Sequence, residues 1–167
     1  MLHKSDIAYI EQTVDKLIKA YDIQIPILDI DSLIKTFGGK IIERKNFAMG
    51  TLSKKNDNNF VIAIFPDNNL IRRKIDLIRE LGYLFLCLGF RMNSSTWESV
   101  SLNRFYSFND LNKYTMTDYF TRCFLMPKKE FKDIFQEYHG CIDDIANYFQ
   151  VSRFVVINRA KDLRLKY

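Results

Sequence analysis

Length, composition and charge exclude several classes of protein. The chain has 167 residues, of which 47% are hydrophobic and 27% charged, with six glycines and three prolines. It is therefore long enough for one domain with a substantial core, too apolar to be disordered, and too poor in glycine and proline to be fibrous. The net charge of +5 is mild and scattered, so it permits an acidic or nucleic-acid partner without indicating one.

The apolar runs and the cysteines indicate a cytoplasmic protein. Runs such as residues 60–65 and 81–88 are far shorter than the roughly 20 residues of a membrane span, so we expect no membrane association. The start of the chain lacks the pattern of a secretory signal. The three cysteines are odd in number and lie in apolar, helix-like contexts, which favours reduced thiols over a disulfide framework.

Hydrophobic periodicity predicts two helices and then a small sheet. Apolar residues three and four apart predict a helix behind Ser5, which is a good N-cap residue. A second, shorter helix follows Asp29 and closes at Gly38-Gly39. The period then changes, and three short β-prone runs between polar turns predict an antiparallel sheet: residues 40–45, 50–54 and 60–65.

The second half of the chain is predicted to be mainly helical. Residues 70–88 form a central, mostly buried helix, because apolar side chains cover more than one face. Residues 89–111 have no sustained period, which predicts a long functional or mobile loop. Helices are expected over residues 114–126 and 130–138, and residues 142–163 have the spacing of a helix-turn-helix-like pair.

One segment of the central helix points to a specific chemistry. Two helical residues four apart share a face, so histidines at both places could bind one zinc ion. A glutamate directly after the first histidine would then polarise a zinc-bound water molecule. The segment Arg79-Glu80-Leu81-Gly82-Tyr83 has this frame with both histidines replaced.

The flanking segments make the chain resemble the ImmA/IrrE family of metallopeptidases, whose zinc helix reads His-Glu-Leu-Gly-His. The matching pieces follow the family order: residues 50–52 and 60–64 resemble its strands, 72–86 its zinc helix, 120–127 its Leu-Met-Pro signature and 145–163 its closing helix pair. The resemblance implies an α+β fold with a zincin-like helical core, a small antiparallel sheet and the helix-turn-helix-like pair. It also implies a single domain over 1–167, with the zincin-like core over 1–127 and a C-terminal helical subdomain over 128–167.

The positions that match the family's zinc ligands carry unsuitable residues. By resemblance these positions are Arg79, Tyr83 and Met116, with Asp118 as the third position in an alternative register. Arginine offers only donors, methionine lacks a hard oxygen, and a tyrosine phenol titrates near 10. We therefore expect no metal cofactor, although the family would use zinc, and Glu80 remains as a vestigial general base. Without a metal, a lone carboxylate cannot activate water.

The sequence also predicts what replaces the missing cation. An unpaired buried arginine is costly, so we expect the Arg79 guanidinium to take the metal position and pair with Glu80 or Asp118. The Tyr83 hydroxyl would complete this hydrogen-bond network. The alternative interpretation of Arg79-Glu80 is an ordinary polar patch on a half-exposed helix.

The resemblance implies a regulatory function. Family members commonly act on helix-turn-helix repressors in mobile elements and stress responses, so the implied partner is a transcriptional repressor of a phage or mobile element. A chain without zinc ligands would modulate this partner by binding it, without cleavage. The expected binding surfaces are the cleft between the Glu80 helix and the sheet, and residues 89–111.

Two alternative functions remain open at this stage. One is an active zinc metallopeptidase that cleaves such a repressor. The other is a DNA-binding regulator that uses the C-terminal helix pair, because basic residues lie on or after its second helix: Arg153, Arg159, Lys161 and Arg164. Acidic neighbours such as Asp143 and Asp144 dilute that charge, whereas phosphate-driven binding needs a denser basic stripe.

Overall fold

The chain has the predicted α+β architecture. The computed structural model describes residues 2–46, 50–66, 69–107 and 110–167, and within these ranges the chain forms eight helices and four strands. It divides into two units, which we call the middle unit, Asp29–Asp118, and the terminal unit, Met1–Leu28 with Tyr119–Tyr167. The predicted subdomain boundary at residue 127 lies within the terminal unit.

The middle unit contains a four-stranded sheet in the order β1-β3-β2-β4. Its strands are β1 (Gly39–Glu43), β2 (Thr51–Lys54), β3 (Phe60–Ile64) and β4 (Phe105–Tyr106). β2 is antiparallel to β3 and β4, but β1 is parallel to β3. The sheet is therefore mixed and has four strands, where the sequence predicted a small antiparallel sheet of about three strands. The three predicted strands do alternate in direction along the chain, but β3 lies between β1 and β2 in the sheet, so β1 meets a neighbour that runs in its own direction.

Three helices belong wholly to the middle unit: α2 (Ile30–Thr36), α3 (Leu70–Leu86) and α4 (Ser94–Ser99). Asp29 caps α2 by accepting from the backbone N–H of Ser32, and Gly38 follows the helix at φ +90°, a left-handed conformation that suits glycine. α3 packs on β2 and β3 through an apolar face that includes Leu81 and Phe85, both buried. These features confirm the two predicted helices.

Residues 89–111 are not a structureless loop, contrary to the prediction. They contain α4 and β4, which are too short to show a period. The Asn93 side chain caps α4 by accepting from the backbone N–H of Thr96. Trp97 on α4 is buried and donates from its indole nitrogen to the backbone oxygen of Asp57, at 2.9 Å. Trp97 therefore fixes α4 to the core of the middle unit.

The terminal unit is helical. Its helices are α1 (Lys4–Ala20), α6 (Lys128–Glu137), α7 (Ile142–Phe149) and α8 (Arg153–Asp162), while α5 (Leu111–Leu125) passes from the middle unit into it. α1 begins earlier than predicted, with His3 rather than Ser5 at the N-cap, and the Asp6 carboxylate accepts from the His3 backbone N–H. The predicted closing pair is confirmed as α7 and α8, and Ser152 caps α8. Among the described residues, no helix has the length and hydropathy to span a membrane.

Candidate functional site

The residues at the positions that resemble the family's ligand positions lie on two helices, α3 and α5, within the middle unit. Arg79, Glu80 and Tyr83 belong to the second half of α3, and Met116 and Asp118 belong to α5. Asn69 is the N-cap of α3, and its side chain accepts from the backbone N–H of Arg72. The helix therefore runs unbroken through the segment that corresponds to the family's zinc helix.

Arg79 lies between two carboxylates. Its Nη1 is 3.1 Å from Asp76 Oδ1, and its Nη2 is 3.5 Å from Asp118 Oδ1. The Tyr114 ring centroid is 5.5 Å from the guanidinium carbon, within the range of a cation–π contact. The predicted pairing with Asp118 is thus present. Of the two α5 residues considered, Asp118 is the one whose side chain contacts Arg79. Asp76 is a partner that the sequence analysis did not identify, although its i, i+3 spacing could have indicated it.

Glu80 is sealed inside the middle unit. The residue is only 2% exposed, and its Oε2 atom has no hydrogen-bond partner among the described residues. Gly50, just before β2, lies so close to the carboxylate that a Cβ there would be 2.3 Å from Oε1. In the described parts of the chain, no hydrogen bond or ion pair joins Arg79 to Glu80, so of the two predicted partners Arg79 pairs with Asp118 and not with Glu80. The reason is that the Arg79 guanidinium extends toward Asp76 and Asp118 instead.

The environment of Glu80 changes its protonation. Burial raises the pKa of this carboxyl to about 8, opposed by the Arg79 charge and reinforced by Asp76. The group is therefore mostly protonated at neutral pH. A general base must be in contact with water and must accept a proton from it. The Glu80 carboxyl is enclosed and already protonated, so it can do neither.

Tyr83 is also poorly suited to hold a metal. Its side chain is buried, and burial raises the pKa of the phenol, with Cys87 and Glu80 adding to the effect. A phenol with a raised pKa keeps its proton at neutral pH and has no anionic oxygen to offer a cation.

These residues do not fit a zinc ion. Zinc needs about four nitrogen, sulfur or oxygen donors in tetrahedral geometry, whereas position 79 presents a guanidinium, which has donors only. Among the residues that the structure describes, no group of three or more His, Cys, Asp or Glu side chains is placed to hold a metal ion. The positive charge between Asp76 and Asp118 comes from arginine itself.

Arg159, one of the basic residues predicted to contact DNA or a partner, is buried instead. Its exposed fraction is 0%. Its Nη1 donates to Glu11 Oε1 at 2.9 Å, and its Nε donates to the backbone oxygen of Met126 at 2.9 Å. The prediction for Arg159 is therefore wrong, because Glu11 on α1 neutralises it inside the terminal unit. Nothing in the local sequence indicated Glu11, which lies far from α8 along the chain.

The other three basic residues of the C-terminal pair are exposed. Arg153 forms an ion pair with Asp143, across the turn between α7 and α8. Lys161 and Arg164 lie at the end of α8 and just beyond it, facing solvent. Part of the predicted basic surface is thus already neutralised.

Comparison with known proteins agrees with this fold. A solved structure of a Mycobacterium tuberculosis transcriptional regulator matches with a TM-score of 0.58 and 15% identity, over 92% of this chain and 47% of that one. The chain thus spans about half the length of that regulator, and at this identity the likeness concerns the fold. None of the curated proteins matches significantly. The model of the IrrE N-terminal-like domain (Peptidase M78) matches residues 34–161, so the chain belongs to this family, as its resemblance to ImmA/IrrE proteins predicted.

Proposed function

We propose that this IrrE-like protein regulates transcription by binding a protein partner without cleaving it. The partner is a helix-turn-helix transcriptional repressor of a phage or another mobile element. The observation that carries the proposal is the position of the Arg79 guanidinium, which lies between Asp76 and Asp118 at a place where the family resemblance implies a zinc ligand. The family match and the likeness to a transcriptional regulator support the regulatory part.

The absence of cleavage follows from two features of the site. Hydrolysis of a peptide bond in this family's manner needs a Lewis acid and a base that activates water. Arginine cannot accept an electron pair from water, so Arg79 supplies charge without Lewis acidity. Glu80 is enclosed by Gly50 and mostly protonated at neutral pH. Both components of water activation are therefore lost.

The surface that remains suits recognition. Arg79, Tyr114 and Asp118 are all partly exposed, and together they form what we call the α5 rim. The rim offers a guanidinium, a carboxylate and an aromatic ring, a combination that is common in protein interfaces. α4 and β4 belong to the same unit and expose Leu102 between them. A partner that docks on the rim would meet two charged groups and an aromatic ring together.

Direct DNA binding is the weaker proposal. Arg159 is buried and Arg153 is paired with Asp143, which leaves Lys161 and Arg164 as exposed basic residues at one end of α8. Affinity for duplex DNA depends on the number of phosphates that are neutralised. These two predicted contacts, with the exposed Lys166 close behind them along the chain, are too few to drive it.

Metal analysis together with a binding and cleavage assay tests the proposal. The purified protein is analysed for zinc and then mixed with candidate helix-turn-helix repressors. We expect no stoichiometric zinc, an intact repressor, and a complex whose affinity is unchanged by EDTA and by Glu80→Gln. Bound zinc with cleavage that Glu80→Gln abolishes would instead establish an active peptidase.

A rim variant tests where the partner binds. Tyr114→Ala should weaken the complex by about tenfold or more, since aromatic side chains are frequent interface hot spots. Tyr9→Ala is the matched control, because Tyr9 is a similarly exposed tyrosine on α1. Equal losses in the two variants would contradict binding at the α5 rim.

A further inference from the structure

A groove of about 470 Å³ lies beside β1 in the middle unit. Four of the five residues of β1 line it, so the groove follows the strand. The opposite wall comes from α2 and α3, through Asp31, Ile34, Lys35 and Arg73. None of the residues at the ligand positions on α3 and α5, and none of the α5 rim, lines this groove.

The groove coincides with an open edge of the sheet. β1 is a terminal strand, bonded only to β3 within the sheet. The backbone N–H of Phe60 donates to Gly38 O at 3.3 Å, and that of Arg44 donates to Ile64 O at 2.9 Å. Along a strand, successive residues direct their backbone groups to opposite edges, so even-numbered residues of β1 face β3. The odd-numbered residues face outward, into the groove: Gly39, Ile41 and Glu43.

The outward-facing backbone N–H and C=O groups of β1 are open to hydrogen bonds from another chain. In the described parts of the chain, no backbone or side-chain hydrogen bond reaches the N–H or C=O groups of Gly39, Ile41 and Glu43. An open strand edge of this kind is a template for another extended chain. We propose that the groove binds an extended segment of a partner protein, which joins the sheet as an additional strand on β1.

The side chains of the groove define the chemistry of that segment. Ile41 is partly exposed and offers an apolar contact. Arg73 is already paired with Asp31, with Nη1 to Oδ1 at 2.7 Å, so these two charges cancel. Lys35 and Lys40 then outnumber Glu43, and both lysines are exposed. The favoured segment therefore alternates apolar and polar residues and carries an acidic side chain among the polar ones.

This site depends on the proposed function only in that its ligand is a protein segment. Because none of the residues that line the groove belongs to the α5 rim, binding at β1 is separable from binding at the rim. Loss of peptide binding at β1 would leave the repressor assay with Tyr114→Ala unaffected, and failure of the repressor assay would leave the peptide assay intact.

Backbone methylation tests the strand pairing directly. The probe is a fluorescent peptide of about six residues that alternates valine and threonine and includes one aspartate. Two further versions carry N-methyl groups on either the odd or the even residues. Only one set of amides faces β1, so we expect one version to lose more than about tenfold in affinity and the other to bind as before. If both versions bind equally, or both lose binding, strand addition is excluded.

Charge reversal tests the location and the acidic preference. Lys35→Glu/Lys40→Glu should weaken the aspartate peptide about tenfold and strengthen a version with lysine in place of aspartate. Lys16→Glu/Lys19→Glu is the matched control, because these two lysines are exposed on α1, and it should change neither affinity. Hydrogen exchange should show new protection at the Ile41 and Glu43 amides. Protection at β4 instead, or a concentration-dependent dimer that protects these amides without peptide, would overturn the proposal.

Discussion

Arg79 illustrates how one side chain can supply a positive charge without metal chemistry. Its guanidinium is fixed by Asp76 and Asp118 and lies near the Tyr114 ring. A zinc ion in such a place would also bind water and lower its pKa, which arginine cannot do. Arg79 therefore gives the two carboxylates the positive charge that balances them, and under the proposed function this balance is kept without hydrolysis.

The first prediction restores the ligands. Arg79→His/Tyr83→His places two imidazoles four residues apart on one face of α3, near the Asp118 carboxylate. We expect the double variant to bind zinc about 100-fold more tightly than Arg79→His alone, as measured by calorimetry. Adding Asp118→Asn should remove most of the gain. Equal zinc affinity in the wild-type protein and the double variant would contradict our assignment of the ligand positions.

The second prediction concerns the cost of burying Glu80. Its pKa is about 8 in the folded protein and about 4.3 in an unfolded chain. Because the pKa is raised on folding, burying Glu80 costs no stability below the pKa of the unfolded chain. The free energy of unfolding then falls as the pH rises from that pKa toward the pKa of the folded protein. At neutral pH the cost is on the order of 3 kcal/mol. Glu80→Gln removes it, so the free energy of unfolding should rise and depend less on pH.

Urea unfolding between about pH 5 and about pH 8 measures this effect. Glu98→Gln is the control, since Glu98 is an exposed glutamate on α4 of the same unit, and this variant should behave like the wild-type protein. If Glu80→Gln keeps the same slope with pH as the wild type, Glu80 is not protonated in the folded state.

At the scale of elements, a buried ion pair joins helices from the two ends of the chain. Glu11 on α1 accepts from Arg159 on α8 at 2.9 Å and from the Tyr119 hydroxyl on α5 at 3.0 Å. Burial alone would raise the pKa of Glu11, but the hydrogen bond and charge of Arg159 and the bond from Tyr119 outweigh it and hold this pKa below its usual value. The terminal unit therefore depends on the ionised form of Glu11.

The third prediction removes that charge. Glu11→Gln leaves Arg159 buried without its counter-charge, and we expect a loss of about 3 kcal/mol in the free energy of unfolding at neutral pH. The depressed pKa means that the ion pair contributes above the unfolded value, near 4.3, and is lost as the pH falls through the folded value. The variant and the wild type should converge in acid.

Chemical denaturation at neutral and acidic pH distinguishes this pair from a surface pair. Asp143→Asn removes the exposed partner of Arg153 and should cost about 0.5 kcal/mol or less. A similar cost for Glu11→Gln, or no convergence in acid, would show that the buried charge is not what holds these helices.

The local sequence pattern was sufficient to predict most helices and strands, but it was insufficient to predict which of them contact one another. The apolar period of α3 and the turn before α8 were visible in the sequence, because both depend on neighbouring residues. The pairing of β1 with β3 depends on strand order, which no local pattern encodes. Arg159 lies one turn after the buried Val155, so its spacing indicated the buried face of α8. Its charge, however, indicated a solvent-exposed position. Likewise, no local pattern showed that the Asp118 carboxylate lies beside Arg79, because that is a tertiary contact.

At the scale of the molecule, the family match and the structural units overlap only partly. The matched segment begins at residue 34, within α2, and so excludes α1. Yet α1 carries Glu11, the counter-charge of Arg159, which lies inside the matched segment. The terminal unit of this chain thus combines family residues with a helix outside the matched segment, and its stability is set by both.

The fourth prediction follows from the distribution of charge over the C-terminal helices. Residues 122–167 contain nine basic and six acidic residues, and ion pairs engage several of the basic ones, including Arg122 with Asp162 at 2.6 Å and Arg159 with Glu11 at 2.9 Å. We expect duplex DNA to bind no more tightly than a non-specific dissociation constant of about 10⁻⁴ M at physiological salt.

A mobility-shift titration over several salt concentrations measures this affinity. The variant Lys161→Glu/Arg164→Glu removes exposed basic residues at the end of α8. Sub-micromolar binding that weakens steeply with salt and disappears in the variant would establish a DNA-binding protein, because only phosphate contacts produce that dependence.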